Sequence, residues 1–154
     1  MKLLICLIFL TFANLAHANE AQLGVILGST TGLSAKYDLG GDRAIDGALS
    51  YSNESRYGMS LHADYLINKA HQFNVGNVNP LNLYYGLGLR LLDIRDRTYY
   101  NNSANRIGIR GPIGIYYRTS EPKLEIFGEI APTLDITPRT DVYFAVGLGV
   151  RFIF

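Results

Sequence analysis

The chain has 154 residues, 48% of them hydrophobic, with 14 basic and 13 acidic side chains and one cysteine. That length suits a single domain. The near-neutral charge excludes the basic field of a nucleic-acid binder, and one cysteine excludes a disulfide framework.

Residues 1–18 read as a cleaved export signal. Met1 and Lys2 form a positive start, Leu3–Phe12 is an apolar run containing Cys6, and Ala16-His17-Ala18 supplies the small residues of a cleavage site. The run is too short to cross a hydrocarbon layer of about 30 Å as a helix. Cys6 lies inside it rather than after it, which argues against a lipid-modified mature end. Cleavage would remove the cysteine and Lys2, leaving 13 basic against 13 acidic residues over 19–154. No later stretch approaches 18 consecutive apolar residues, although barrel strands hide their hydrophobicity by alternation.

From there the sequence alternates with period two, the signature of strands. Eight segments fit. Gln22–Gly28 places Leu23, Val25 and Leu27 on one face. Leu33–Leu39 sets Leu33, Ala35, Tyr37 and Leu39 against Ser34, Lys36 and Asp38. Ala44–Tyr51 sets Ile45, Gly47, Leu49 and Tyr51 against Ala44, Asp46, Ala48 and Ser50. Tyr57–Leu66 sets Tyr57, Met59, Leu61, Ala63 and Tyr65 against Gly58, Ser60, His62 and Asp64. Leu81–Leu92 opposes five apolar residues to Asn82, Tyr84, Gly86, Gly88 and Arg90. Arg106–Tyr117 carries Ile107, Ile109, Ile113 and Ile115 opposite Arg110, Gly114 and Tyr116. Lys123–Ala131 sets Leu124, Ile126 and Ile130 against Glu125, Phe127 and Glu129. Finally, Val142 to Phe154 places seven apolar residues at every second position. Turn chemistry separates them at Gly40-Gly41-Asp42, Ser52–Ser55, Ser120-Glu121-Pro122 and Pro138–Asp141. Ile67–Pro80 and Asp93–Asn105 read as longer connections.

The second face decides between a soluble sandwich and a membrane barrel. A sandwich shows water a face rich in Lys, Glu and Thr. Here that face is mostly Gly, Ala, Ser and Tyr, which suits the crowded interior of a small barrel. With the N-terminus periplasmic, Tyr37, Tyr65, Tyr85, Tyr117 and Phe154 fall at one rim and Tyr51, Tyr57 and Phe144 at the other. Two aromatic girdles around a Leu/Ile/Val band fit a bilayer. The expected fold is all-β: a closed eight-stranded antiparallel up-and-down transmembrane β-barrel.

The export signal, the eight alternating strands and the ending Val150-Arg151-Phe152-Ile153-Phe154 resemble the small bacterial outer-membrane barrels of the OmpA/OmpX type. The resemblance covers the mature chain as architecture and is specific only in the last strand, where Phe152 and Phe154 look like the signal read by the barrel-assembly machinery. It implies integral placement in the outer membrane, among its lipids and lipopolysaccharide. One departure is that Ile67–Pro80, a long connection, falls on the periplasmic side, where the family has short turns.

With the apolar face outward, Lys36, Asp38, Asp46, His62, Asp64, Arg90, Arg110, Glu125, Glu129 and Arg151 point inward. They are expected to form a charge-paired network that fills the lumen, the alternative being a narrow ion-conducting pore. Ser60, His62 and Asp64 share one face, but strand rise spaces them about 6.6–7 Å apart, loose for a nucleophilic triad. A lipid-modifying enzyme is a distant third reading, since no histidine faces outward and His62 is followed by Ala63 and Asp64 rather than by the family's His-x-Ser. No spacing suggests a metal or phosphate site, His71 lies in a polar connection, and neither cofactor nor nucleic-acid partner is expected. The expected role is structural, presenting surface segments Ser52–Arg56, Asp93–Asn105 and Pro132–Asp141. Tyr99, Tyr100, Asn101 and Asn102 form an amphipathic tip suited to a surface ligand that the sequence does not specify.

Overall fold

The structure, a computed structural model, describes residues 20–29, 31–51, 58–73, 81–94, 104–137 and 140–154. The leader 1–18, the segment Ser52–Arg56, Tyr57 and the tip Tyr99–Asn102 lie outside them. Nine strands are present among the described residues: β1 (Ala21–Gly28), β2 (Thr31–Gly40), β3 (Arg43–Tyr51), β4 (Met59–Phe73), β5 (Leu81–Ile94), β6 (Ala104–Arg110), β7 (Ile113–Thr119), β8 (Leu124–Thr137) and β9 (Asp141–Ile153).

These nine strands make a ring of eight. Neighbours around the ring pair antiparallel, and β1 closes it on β9 from Gln22↔Ile153 to Gly28↔Gly147. The extra strand comes from a break in the sixth expected segment. Both β6 and β7 pair with β5 on one side and β8 on the other. Arg110 faces Thr133 and Ile113 faces Ile130, so two residues intervene on each strand and the register continues unchanged. Pro112, which has no N–H, interrupts the ladder there. The gap is bridged because Gly111 N donates to Pro132 O and Gly86 N donates to Pro112 O, each at 2.9 Å.

Three strands outrun their expected ends. β4 continues to Phe73, so the first half of the supposed Ile67–Pro80 connection is strand. β5 reaches Ile94 and β6 starts at Ala104, shortening the loop read as Asp93–Asn105. β8 runs through Pro132 to Thr137, so most of the segment read as surface loop Pro132–Asp141 is strand. On β4 the outer face turns polar at Lys69 and the apolar alternation stops while pairing continues, whereas on β8 the outer face stays apolar through Leu134 and Ile136 and Pro132 obscures the continuation.

Outward positions are apolar and exposed, from Leu23 and Val25 on β1 to Leu148 and Phe152 on β9. Tyr37, Ile45 and Tyr65 stand side by side across β2, β3 and β4. The inward positions form the core: Ile26, Ala44, Ala48, Leu66, Tyr84, Tyr116 and Phe127, packed among buried polar residues.

Candidate functional site: the lumen

Alternation fixes which side chains enter the lumen, and register fixes which of them meet. Nearest the rim where Phe154 bonds Ala21, Glu125 on β8 is fully buried and gathers three cations. Lys36 Nζ on β2 donates to its carboxylate at 3.1 Å, Arg118 Nε on β7 at 2.9 Å and Arg151 Nη1 on β9 at 3.1 Å. Arg118 also reaches Asp38 at 2.7 Å and Glu20 at 3.0 Å. Arg151 spans the barrel: Nη2 donates to Asp46 at 2.8 Å and to Ser34 Oγ at 2.8 Å, while its guanidinium stacks 3.8 Å from the Phe127 ring centroid. Lys36 Nζ lies 4.4 Å from the centroid of Tyr116 and 5.7 Å from that of Tyr84, a cation–π arrangement in a desolvated setting.

Midway along the lumen, Arg110 bonds Glu129 and places Nε 2.9 Å from Asp64. Tyr84 donates its hydroxyl to the same Glu129 at 2.9 Å. His62 Nε2 is 3.9 Å from Asp64 Oδ2. Toward the opposite rim, Arg90 contacts Asp135 through Nη2 at 2.7 and 2.9 Å, Arg106 reaches Asp135 at 3.6 Å, and Arg90 stacks 5.1 Å from Tyr143.

Of the ten charged or titratable residues assigned to the lumen from sequence, nine are buried and Asp38 is half-buried near the rim. Asp135, Arg106 and Arg118 were not singled out. Asp135 was hidden by Pro132, which reads as a strand breaker. The described lumen thereby holds Lys36, Arg90, Arg106, Arg110, Arg118 and Arg151 against Asp38, Asp46, Asp64, Glu125, Glu129 and Asp135, six of each sign. Buried charge is tolerated only when paired, and this balance supplies the pairing.

Glycine makes room where the chains crowd. A Cβ at Gly88 would overlap the Asp64 carboxylate, and one at Gly149 would overlap the Phe127 ring. Glycine on the inner face is thus a packing requirement, as a filled eight-stranded lumen demands. Ser60, His62 and Asp64 do not form a triad, because the buried Ser60 Oγ makes no hydrogen bond among the described residues. Phe152 and Phe154 project outward from β9 and its end, and Phe154 N donates to Ala21 O at 2.9 Å.

The N-terminal β-barrel domain of Pseudomonas aeruginosa OprF superposes on this chain with a TM-score of 0.66 at 17% identity, covering 88% of this chain and 96% of that one. The fold is that of the small outer-membrane β-barrels. Neisserial surface protein A (NspA) agrees, with a TM-score of 0.52, 17% identity and coverage of 88% and 94%. No family model and no curated protein sequence matches the chain. At this identity the barrel is shared while almost all side chains differ, so function has to be argued from the residues of this lumen and surface.

Proposed function

We propose that this chain is an integral outer-membrane protein whose filled barrel is a rigid scaffold for surface loops, neither an enzyme nor a conduit. The carrying observation is the inverted distribution of polarity. Leu87 is 65% exposed and Leu148 68% on the outer surface, while Glu125 and Arg151 are 0% and 2% exposed inside. Water disfavours such an apolar outer band, whereas hydrocarbon accommodates it and also requires the closed ladder that β1 and β9 complete. Export through the leader 1–18 and recognition of outward Phe152 and Phe154 by the barrel-assembly machinery fit this placement. Lipids and lipopolysaccharide would contact the outer band.

Crossed ion pairs speak against the pore reading. Arg151 links β9 to β3 and β8, and Arg110 links β6 to β4 and β8. Full chain extracted in mild detergent and shown folded by its heat-dependent gel mobility should leave a planar bilayer electrically silent. Steady single-channel steps would overturn the filled-lumen scaffold.

Tyr99, Tyr100, Asn101 and Asn102 fall in sequence between the end of β5 at Ile94 and the start of β6 at Ala104, at the rim opposite Ala21 and Phe154, which this reading places at the cell surface. Tyrosine offers rigid amphipathic contact area and asparagine offers adaptable hydrogen bonding, the chemistry of a contact loop. Deleting Tyr99–Asn102 should abolish binding of displaying cells to lipopolysaccharide-coated or host-cell surfaces while the heat-shifted band persists. Undiminished binding would refute the loop's role.

A further inference from the structure

Midway along the lumen, carboxylates of adjacent strands meet beside an imidazole. Asp46 on β3 and Asp64 on β4 are direct register partners, and His62 shares the inward face of β4 two residues earlier. One donor atom from each of Asp46, His62 and Asp64 lies within 4.8 Å of the others, and all three residues are buried. Zinc-type ligands in a tetrahedral shell sit about 3.4 Å apart, so small side-chain rotations would bring these donors to a common ion.

An independent observation points the same way. The Asp64 side chain is fully buried, yet among the described residues no hydrogen-bond donor reaches either of its oxygens or Asp46 Oδ1. Arg110 Nε is close to Asp64 but not aligned as a donor to it, and its Nη2 is engaged by Glu129. Arg151 is divided between Asp46 and Glu125. Asp46, Asp64 and Glu129 therefore have Arg110 and part of Arg151 as their direct ionic partners, while Lys36 and Arg90, the register partners of Asp46 and His62, are engaged by Glu125 and Asp135. An uncompensated carboxylate in a desolvated interior is costly. A bound cation satisfies the unpartnered oxygens.

We propose that Asp46, His62 and Asp64 form a lumen site for one divalent first-row transition ion of the Zn2+ type. The imidazole sets the class. Calcium and magnesium favour all-oxygen or heavily hydrated shells, whereas two carboxylates and one imidazole suit Zn2+, Co2+ or Mn2+, with water completing the shell. The ion would tie β3 to β4, a role separate from anything the surface loops do.

The test uses the full chain, extracted from membranes in mild detergent, stripped with a chelator and dialysed against Zn2+. One equivalent should bind, and Co2+ in its place should show the visible bands of a nitrogen–oxygen site. His62→Ala and Asp64→Asn should each weaken binding at least about tenfold, while His71→Ala leaves it unchanged and all variants keep the heat-shifted band. Should Asp64→Asn fail to fold, His62→Ala carries the comparison alone. Zinc uptake no greater than a detergent blank, or uptake indifferent to His62→Ala, overturns the site.

Discussion

Replacing Glu125 by alanine is expected to cost the barrel about 3–5 kcal/mol, the range for breaking a buried ion pair by deleting one partner. Three cations converge on this carboxylate, and its removal affects them unequally. Arg118 retains Asp38 and Glu20, and Arg151 retains Asp46 and Ser34. Lys36 loses the carboxylate it contacts at 3.1 Å and keeps the faces of Tyr116 and Tyr84. An ammonium on tyrosine rings gains about 0.5–2 kcal/mol, well short of what its burial costs. Lys36 therefore dominates the loss, and the double variant Glu125→Ala with Lys36→Met should recover most of it. Urea midpoints followed by far-UV circular dichroism in detergent measure both steps. A single variant as stable as the parent would mean that the network contributes nothing. A double variant no better than the single would move the damage to the arginines.

How much of this arrangement the sequence discloses depends on what each signal encodes. Alternation reports the two faces of a strand, so Lys36, Glu125 and Arg151 could be assigned inward before any pairing was known. It carries no information on which strands face each other at which residue. Nothing in the spacing of His62 and Asp64 announces Asp46, because that neighbour arrives through the β3–β4 register, sixteen or more residues away. Proline misleads in two ways. Pro112 sits within a segment that alternates across it and splits the strand, while Pro132 looks like an end and does not terminate β8, since its carbonyl still accepts from Gly111. Where the outer face turns polar, as at Lys69, pairing persists but the apolar signal stops, so the sequence does not mark the end of β4.

Leu148→Arg tests the orientation of the whole molecule. Leu148 lies in the body of β9, 68% exposed on the outer face, paired with Leu27 on one side and Gly128 on the other. If that face meets acyl chains, the guanidinium must enter hydrocarbon far from either rim, at a cost of about 2–4 kcal/mol. Thr31→Arg, at the end of β2 opposite Tyr51, lies near the rim and should cost only about 0–1 kcal/mol. The ratio matters more than either value, because only a medium whose polarity changes with depth produces it. In water both substitutions would stay within roughly ±0.5 kcal/mol, as exposed surface changes do, and both would improve solubility. Unfolding free energies in lipid vesicles for the two variants therefore separate the cases. A steep dependence on depth requires the Leu/Ile/Val face to be the one in the bilayer. That in turn obliges the charged face to neutralise itself, as the pairing of Glu125 with Lys36, Arg118 and Arg151 does.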